Sequence, residues 1–338
     1  MKALFIGGTG TISTEISKLC IARGWDLTLL NRGHSAAYVP EGAKVLKCDI
    51  HSGDAASVLA DAQYDVVADF IAFSTADVER DIRLFTGKAK QYFFISSASA
   101  YQKPLASPFI TESTPLHNPY WEYSRNKIAC ERILMDAYNN AGFPVTIIRP
   151  SHTYCERAVP LALHGNKGSF QVLERIRQGK KVIIPGDGTT LWTMTHSRDF
   201  AVAFVGLMGN IHAIGETYQI TSDESVTWNQ VYQSVANALG VELNAVHIAT
   251  DAIAKLYPDQ LGGLTGDKSN TVIFDNTKIK RAVPDFCALT RFDQGAREAV
   301  DYVYSHPECQ IPDPEFDQWC DQVIEGYERA IAALPSFE

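Results

Sequence analysis

The feature that most constrains this chain is the alternation of short apolar runs with amphipathic helical stretches through its first half. Each run is rich in β-branched or aromatic residues and mostly apolar on both faces, as is typical of strands buried in a parallel sheet. This rhythm predicts a parallel sheet with helices on both faces and right-handed crossovers. The predicted strands are 2–6, 26–30, 44–48, 65–70, 91–96 and 144–149, and the predicted helices lie near 10–23, 53–61, 75–87 and 119–141.

The rhythm changes after Pro150, where the sequence carries little periodicity until about residue 168. A helix from about Asp199 to Met208 and a strand at 216–220 are expected to return the chain to the first domain. The sequence therefore predicts an α/β fold with two interleaved parts and a substrate cleft between them. These parts are a doubly wound parallel sheet of the Rossmann type over 1–155, completed by segments within 180–222, and a smaller C-terminal α/β substrate-binding lobe over 156–338. Further helices are predicted near 168–178, 227–239, 291–304 and 313–334.

The net charge of −9 restricts the classes of partner. An acidic chain offers no broad electrostatic attraction to nucleic acid or anionic lipid, and no run of about 20 apolar residues is present to cross a bilayer. The N-terminus lacks the apolar core of a signal peptide. The seven scattered cysteines form no C-x-x-C pair, and the nine histidines show no metal-ligand spacing. We therefore expect a cytoplasmic protein with reduced thiols and a small-molecule substrate, and no metal, nucleic-acid or membrane partner.

A glycine-rich turn, Gly7-Gly8-Thr9-Gly10-Thr11-Ile12-Ser13, joins the first predicted strand to the first helix. Gly7 allows a tight turn, Gly10 allows the backbone to approach a pyrophosphate, and the helix N-terminus offers unpaired N–H groups. Ser13 stands where the third glycine of the dinucleotide-binding pattern is expected, and it is small enough for close helix–strand packing. The position between a strand and a helix indicates a dinucleotide site rather than a simple turn.

The residues that end the second predicted strand bear on the choice of dinucleotide. An NAD site usually places an acidic residue there to hold the ribose 2′-hydroxyl, whereas this chain has Asn31 followed by Arg32. A guanidinium is able to pair with the 2′-phosphate of NADP, although Arg32 is also compatible with a solvated loop charge. We expect NADP or NAD as the cofactor, with NADP favoured.

Tyr123 and Lys127 lie four residues apart on one predicted helix and therefore share a face. An ammonium beside a phenol favours the phenolate and makes tyrosine a usable proton acceptor near neutral pH. In isolation the spacing would indicate an ordinary pair on the surface of an amphipathic helix. Ser96, Ser97 and Ser99 at the carboxyl end of the fifth strand change that interpretation, because open α/β sheets bind their ligands at this edge. At least one of these serines is expected only to cap the strand end.

Taken together, these motifs resemble the extended short-chain dehydrogenase/reductase family, specifically its NAD-dependent epimerase/dehydratase group. The resemblance covers nearly the whole chain. It rests on the glycine turn and on the segments Cys48-Asp49-Ile50, Asp69-Phe70-Ile71-Ala72, ISSASAY at 95–101, Tyr123-Ser124-Arg125-Asn126-Lys127, Ile148-Arg149-Pro150, 186–188, 196–201 and 215–220.

The resemblance implies catalytic roles for Ser97, Tyr123 and Lys127, with Ser97 chosen because it stands four residues before Tyr101. It also implies that Lys127 holds the nicotinamide ribose. The implied cofactor-binding residues are Gly7, Thr9, Gly10, Thr11, Ile12, Asn31, Arg32, Asp49, Ile50, Phe70, Ile71, Tyr123, Lys127 and Pro150.

Two departures from the family pattern narrow the expected chemistry. Family 4,6-dehydratases follow their catalytic hydroxyl residue with Asp-Glu, whereas Ala98 and Ser99 follow Ser97, so sugar dehydration is not expected. Nucleotide-sugar members commonly carry an arginine shortly after the Gly-Asp-Gly turn, where this chain has Trp192. An indole is able to stack on a base or sugar. Ser99, Trp192 and Arg198 are the predicted substrate-binding residues.

Three functions remain open at this point. The first is a sugar or nucleotide-sugar epimerase in which Tyr123 exchanges a proton with a substrate hydroxyl. The second is an NADPH-dependent reductase or dehydrogenase of a small non-sugar carbonyl. The third is a non-catalytic dinucleotide-binding or RNA-associated protein, which the intact Tyr123–Lys127 pair and the negative charge disfavour. We expect the segments 151–170, 188–198 and 250–272 to shape the substrate pocket, and we expect a homodimer because family members often pair through the long helix.

Overall fold

The computed structural model describes residues 1–60 and 62–336. The strands of this part of the chain are short, and most alternate with helices. They are β1 Lys2–Ile6, β2 Asp26–Asn31, β3 Lys44–Lys47, β4 Tyr64–Asp69, β5 Ala89–Ile95, β6 Phe109–Ile110, β7 Val145–Pro150, β8 His152–Tyr154, β9 Val182–Pro185, β10 Leu191–Trp192, β11 Met194–His196, β12 Thr217–Ile220, β13 Val226–Thr227, β14 Ala245–Ile248 and β15 Ile273–Phe274.

The α-helices include one of 20 residues, α4, that carries the predicted Tyr–Lys pair. They are α1 Ser13–Ala22, α2 Ala55–Val58, α3 Thr75–Phe85, α4 Glu122–Ala141, α5 Phe170–Arg177, α6 Ser197–Leu207, α7 Trp228–Leu239, α8 Thr250–Leu256, α9 Gln260–Gly263, α10 Thr277–Ala282, α11 Phe292–Ser305 and α12 Pro314–Ala332. A π-helical turn follows α9 at Leu264–Lys268. None of the helices within residues 1–60 and 62–336 is long and apolar enough to cross a membrane.

The chain divides into two compact units, and each is built from several separate segments. The first unit comprises Met1–Thr153, Thr193–Asp223 and Val272–Leu289. The second comprises Tyr154–Trp192, Glu224–Thr271 and the chain from Thr290 onward. The sequence did not indicate that the segment around α10 belongs to the first unit. Its few apolar residues, which become buried in that unit, are spread over a short, lysine-containing helix and the turn that follows.

A seven-stranded sheet forms the centre of the first unit, in the order β12-β7-β5-β4-β1-β2-β3. Every neighbouring pair in this sheet is parallel. From β1 the chain proceeds outward through β2 and β3, and then returns to β4 on the other side of β1. The strand order therefore reverses between β1 and β4, which is where doubly wound sheets bind their ligands. The predicted doubly wound α/β fold is confirmed.

Helices bury both faces of this sheet. Residues that alternate along β1 point to opposite faces. Phe5 packs in a layer that includes Phe93 and Phe204, whereas Leu4 packs in a second layer that includes Phe94. The helices α1 and α6 contact each other, as do α3 and α4. A truncation such as Phe93→Ala in this core would cost about 3–5 kcal/mol, so the carboxyl ends of the strands are held firmly in position.

Two local predictions were wrong. We expected the strand at 44–48 to be apolar on both faces, but Lys44, Val45 and Lys47 are exposed. The reason is that β3 is the edge strand of the sheet, where charged side chains are common because they discourage pairing with another chain. The helix expected over 53–61 is a single turn, α2, and residue 61 lies outside the described residues.

The second unit is held together partly by buried charge. Its β14 pairs in parallel with β9, and α7 packs against α11. The guanidinium of Arg175 on α5 is buried and donates to the carboxylates of Asp317 and Asp321 on α12, at 2.6 and 2.7 Å. Because an unpaired buried guanidinium would be costly, these contacts fix α12 against α5.

Candidate active site

A cavity of about 500 Å³ lies at the carboxyl ends of β1, β2, β3 and β4, next to the point where the strand order reverses. Its wall is formed by the glycine turn and by the residues that follow β2, β3 and β4. The lining residues are Gly7, Gly8, Thr9, Gly10, Ser13, Leu30, Asn31, Arg32, His34, Ser35, Cys48, Asp49, Ile50, His51, Phe70, Ile71 and Phe73. Nine of the predicted cofactor residues line this one cavity, whereas Thr11, Ile12, Tyr123, Lys127 and Pro150 are not part of its lining.

The glycine turn contains glycines of two different kinds. Gly7 and Gly8 have φ values of +97° and +86°, and a Cβ on Gly8 would lie 2.6 Å from a methyl group of Leu29, so the fold itself requires glycine there. Gly10 has no positive φ, and a Cβ on it would meet only the Ser13 hydroxyl, at 3.6 Å. The fold therefore does not require a glycine at position 10, whereas a ligand that approaches the backbone would.

The start of α1 is suited to an anion. The residue at the N-cap of this helix, Ile12, provides no side-chain acceptor for the N–H groups of the first turn. Ser13 is buried, and its hydroxyl accepts a hydrogen bond from the Gly10 N–H at 2.9 Å, which closes the turn without a third glycine. The turn and the helix dipole together fit a dinucleotide pyrophosphate.

The cavity wall after β2 carries a cation and polar groups. The Asn31 side chain accepts a hydrogen bond from the Gly33 N–H at 2.9 Å and so stabilises the turn. Arg32, His34 and Ser35 follow it, and all three are exposed. Asp49 is the single carboxylate among the described lining residues, and it comes from the end of β3 and accepts a hydrogen bond from the His51 N–H.

The ammonium of Lys127 is buried between two strand ends. Lys127 is 2% exposed, and its Nζ donates to the carbonyl oxygens of Ala72 and Ile95, each at 2.7 Å. It lies 5.7 Å from the ring centre of Tyr123. Burial lowers the pKa of Lys127 to about 8, so at neutral pH the side chain remains largely protonated. Two of its three N–H donors are used by the backbone, and the third is available to a ligand.

Aromatic rings enclose this ammonium and the phenol. The Nζ of Lys127 lies 4.4 Å from the ring centre of Phe73 and 4.9 Å from that of Phe94. The ring of Tyr123 packs against Trp121 at 4.9 Å and against Phe73 at 6.3 Å between centroids. Low-dielectric surroundings strengthen the influence of a nearby cation on a phenol. The structure thus places the Tyr123 ring and the Lys127 ammonium near each other among aromatic side chains, and acid–base chemistry by Tyr123 stays a prediction.

Three hydroxyls form a chain beside the pair. Ser124 donates to the Ser99 hydroxyl at 2.7 Å, and the Ser99 and Ser97 hydroxyls lie 2.8 Å apart. Because Ser99 accepts from Ser124, we infer that it donates its own proton to Ser97. Ser97 also accepts from the Ser99 N–H, so its hydroxyl proton is directed away from the chain. Ser97 is half-buried and Ser99 is 2% exposed, which places Ser99 behind Ser97.

Ser96 is held for a structural purpose. Its hydroxyl donates to the carboxylate of Glu131. That carboxylate also accepts two hydrogen bonds from Arg149, at 3.0 and 2.6 Å, in a buried bidentate pair. These contacts join β5, α4 and β7, so Ser96 is the strand-end serine whose role is to support the fold.

The other predicted residues lie in different surroundings. Trp192 is 2% exposed in the second unit and stacks on Trp228 at 6.3 Å between centroids. Its indole N–H has no hydrogen-bond partner among the described residues. Arg198 is exposed at the start of α6 in the first unit, and Pro150 is buried at the end of β7. Substrate contacts for Ser99, Trp192 and Arg198 stay predictions.

Sequence reasoning missed several site residues. Phe73, His34 and His51 line the cavity but lie outside the family motifs, although His34 follows Arg32 closely enough to have been considered. In the second unit, and outside this cavity, the Nζ of Lys268 donates to the Ala162 carbonyl at 2.9 Å. Burial lowers the pKa of Lys268 to about 8. The spacing of this lysine in the sequence gives no signal, because only the fold brings it close to residue 162.

Comparison with known proteins decides the family. Residues 3–221 match the NAD dependent epimerase/dehydratase family. The chain belongs to this family. As a member of the NAD dependent epimerase/dehydratase family, it is an NAD(P)-dependent enzyme of the short-chain dehydrogenase/reductase type.

Relatives of this epimerase/dehydratase family member differ in what their names describe. This chain is 25% identical over 260 residues to a 2′-dehydrokanamycin reductase of Streptomyces kanamyceticus. The alignment covers 77% of this chain and 72% of that protein. The chain is 27% identical over 253 residues to the chloroplast stem-loop binding protein of 41 kDa b of Arabidopsis thaliana, covering 71% of this chain and 63% of that protein. The structure of the Bacillus cereus UDP-glucuronic acid 4-epimerase with UDP-glucuronic acid and NAD shares the fold, with a TM-score of 0.73, 16% identity, and coverage of 90% of this chain and 99% of that one.

Proposed function

We propose that this enzyme is an NADP(H)-dependent oxidoreductase that interconverts a hydroxyl and a ketone on a sugar ring, with Tyr123 as its acid–base residue. The observation that carries the proposal is the cavity that joins the glycine turn to a cationic wall at Arg32, next to an enclosed Tyr123–Lys127 pair. The similarity to a protein named as a reductase, spread over 77% of the chain, supports net oxidation or reduction.

The wall after β2 supports NADP over NAD. Asn31 is neutral and already engaged in its turn, so the carboxyl end of β2 offers no carboxylate to accept a hydrogen bond from a ribose 2′-hydroxyl. Arg32 supplies a guanidinium able to form charge-assisted hydrogen bonds to a phosphate, and His34 and Ser35 add further donors. The glycine turn and the uncapped start of α1 would hold the pyrophosphate.

The chain's own groups supply the proton chemistry. A bound nicotinamide supplies the site that accepts or releases the hydride. Ser97 donates its hydroxyl proton in a hydrogen bond to the reacting oxygen, and Tyr123 gives that oxygen a proton during reduction or takes one during oxidation. Lys127 keeps a positive charge beside the phenol, which favours the phenolate that is left after the proton has been given.

The charge of the second unit bears on the substrate. Its segments contain 19 Asp and Glu residues against 11 Lys and Arg residues, whereas the first unit contains 20 against 19. Nearly all of the net negative charge therefore belongs to the unit that we expect to bind the substrate. Several of its arginines are already paired with carboxylates, as Arg175 is with Asp317 and Arg177 with Glu174. This charge favours a neutral or amino-bearing sugar over a nucleotide diphosphate sugar.

The proposal is tested by following NADPH and NADH consumption at 340 nm with a panel of ketones. The panel includes 2′-dehydrokanamycin, an uncharged keto sugar, a UDP-linked keto sugar and a simple aliphatic ketone. We expect turnover with NADPH and the unphosphorylated sugars. Turnover confined to the UDP-linked sugar or to the aliphatic ketone would contradict the proposed substrate class.

Epimerisation is the second candidate, because the fold is shared with a sugar 4-epimerase. An epimerase keeps its cofactor through turnover, so the freshly purified protein would carry dinucleotide at near-full occupancy. For the proposed oxidoreductase we expect a site that exchanges added NADPH readily. Mass spectrometry of the acid-released dinucleotide separates the two.

We also propose that the enzyme acts on a small molecule in the cytoplasm, as a homodimer without a nucleic-acid or membrane partner. The acidic composition supports this, even though one relative is named for binding an RNA stem-loop. Light scattering after size-exclusion chromatography tests the dimer, and a gel-shift assay with a stem-loop RNA tests the lack of RNA binding.

A further inference from the structure

We propose that Phe73 is a positioning residue whose ring packs against the nicotinamide end of the bound dinucleotide and holds the Lys127 ammonium in place. This inference rests on the proposed dinucleotide-dependent function. Phe73 lines the cavity, and its ring also contacts Lys127 and Tyr123. It therefore marks the end of the cavity that faces Tyr123.

The exposure of Phe73 is the first observation. The side chain is 49% exposed although it follows a fully buried residue, Ala72, and lines a cavity inside a well-packed unit. Exposed aromatic surface is costly in water, and an exposed apolar patch inside a cleft indicates a surface that a ligand covers. A flat heteroaromatic ring such as nicotinamide is a suitable partner for a phenyl ring.

The attachment of Phe73 is the second observation. Its backbone N–H donates to the Asp77 carboxylate at 3.0 Å, and that carboxylate also accepts from the N–H of Ser74, whose hydroxyl caps α3 by accepting from the Asp77 N–H. The backbone of Phe73 is therefore held by the helix cap, while its ring contacts Lys127 and Tyr123. A backbone held in this way reduces the ordering that is needed when a ligand packs against the ring.

The contacts with Lys127 are the third observation. The ammonium donates to the carbonyl of Ala72 and lies 4.4 Å from the ring centre of Phe73, so consecutive residues hold it through the backbone and through a cation–π contact. Removing the ring would loosen the ammonium as well as expose it to water. The variant would then lose both the fixed position of the Lys127 ammonium and the apolar surface that contacts the nicotinamide.

The polarity of the cavity is consistent with this assignment. One wall presents Arg32 and His34, which suit the phosphate-bearing adenosine half of a dinucleotide, and the other end presents Ile71 and Phe73, which are apolar. The two halves of the ligand can therefore be tested separately. Loss of the Phe73 ring should weaken binding only of ligands that carry the nicotinamide half.

The experiment compares Phe73→Ala with the wild-type enzyme by isothermal titration. The ligands are the dinucleotide that the wild type binds more tightly and its adenosine half, which is 2′,5′-ADP for NADPH or AMP for NADH. We expect Phe73→Ala to raise the Kd of the dinucleotide about tenfold, a loss that corresponds to half-burial of one phenyl ring. The Kd of the adenosine half should stay within twofold, and Phe73→Tyr should restore dinucleotide binding.

Two further variants make the test specific. Phe109→Ala removes another exposed phenyl ring, outside the cavity, and should leave both affinities unchanged. In a double-mutant cycle with Lys127→Met, the two losses in dinucleotide affinity should not add, because both variants disturb one contact. Strict additivity would overturn the proposed action on Lys127.

The possible outcomes separate this inference from the proposed function. If the wild type binds no dinucleotide, the proposed function fails. If the wild type binds but Phe73→Ala binds equally well, or loses both ligands in equal proportion, the role of Phe73 is wrong while the function stands.

Discussion

The ammonium of Lys127 donates a hydrogen bond to the backbone carbonyl of Ala72 at 2.7 Å, and this contact joins α4 to the loop that follows β4. Its second hydrogen bond, to Ile95, adds the end of β5. One buried cation thus connects the helix that carries Tyr123 with the loop that lines the dinucleotide cavity. Changes in either element are expected to reach the other through this side chain.

Replacing Tyr123 with phenylalanine should abolish turnover and leave cofactor binding intact. The substitution removes the phenol that exchanges the proton but keeps the ring that packs against Trp121 and Phe73. We expect a loss in kcat of at least about 10²-fold, the usual contribution of a general acid–base group. Tyr120→Phe on an exposed residue is the matched control. Substantial activity in Tyr123→Phe would remove this residue from the mechanism.

Replacing Arg32 with alanine should shift the cofactor preference. The guanidinium is exposed on the cavity wall, and a charge-assisted hydrogen bond to a phosphate contributes about 1.5–3 kcal/mol. The Kd of NADPH should therefore rise about 10- to 100-fold, whereas the Kd of NADH should change less than about twofold. Titration of both cofactors, with Arg83→Ala as a surface control, measures the shift. Equal losses for the two cofactors would show that Arg32 does not recognise a 2′-phosphate.

Gly10→Ala should weaken dinucleotide binding while leaving stability nearly unchanged, whereas Gly8→Ala should lower the free energy of unfolding. A Cβ on Gly10 meets only the Ser13 hydroxyl at 3.6 Å, so Gly10→Ala should leave the free energy of unfolding nearly unchanged. It should nevertheless weaken dinucleotide binding about tenfold or more, because the methyl group occupies the approach to the backbone. Gly8→Ala combines a positive φ with a 2.6 Å clash and should destabilise the protein by about 1–3 kcal/mol.

Urea unfolding measures the stability of the Gly8→Ala and Gly10→Ala variants, and cofactor titration measures their affinity for the dinucleotide. A Gly10→Ala variant that binds normally would show that no ligand approaches this turn closely.

The stability contributed by Lys127 should increase with pH. Burial lowers its pKa in the folded protein to about 8, below the ordinary value of 10.5 that applies to the unfolded chain. Between these values the unfolded chain binds more protons, so the free energy of unfolding rises with pH, and the cost of burying the ammonium is fully present below pH 8. Relative to Lys127→Met, the wild type should gain about 2 kcal/mol between pH 7 and pH 10. Urea unfolding of both proteins at the two pH values tests this. A difference in the free energy of unfolding that does not change with pH would contradict the burial of a charged Lys127.

The sequence alone predicted the parts of the site that depend on local chain geometry. The turn at Gly7–Ser13, the Tyr123–Lys127 spacing and the serines after β5 are local patterns, and the structure brings them to one edge of the sheet. These features could be predicted because each lies within one strand–turn–helix segment.

The features that were missed depend on contacts between distant segments. The exposure of β3 follows from its place at the sheet edge, which no residue within it specifies. The stacking of Trp192 on Trp228, 36 residues later, could not be predicted from either segment alone, and substrate binding by Trp192 stays a prediction. Phe73 reads as an ordinary apolar residue in the sequence, and only the packing of α4 shows that its ring touches the ammonium.

The hydroxyl chain has a consequence for how this site can change. Ser124, which sets the direction of the hydrogen bonds through Ser99 to Ser97, is the residue next to Tyr123 on α4. A rotation or shift of that one helix turn would therefore displace the Tyr123 phenol and, in the same event, the Ser124 hydroxyl that donates to Ser99. The alignment of Ser97 and the position of Tyr123 are therefore expected to change together when this turn of α4 moves.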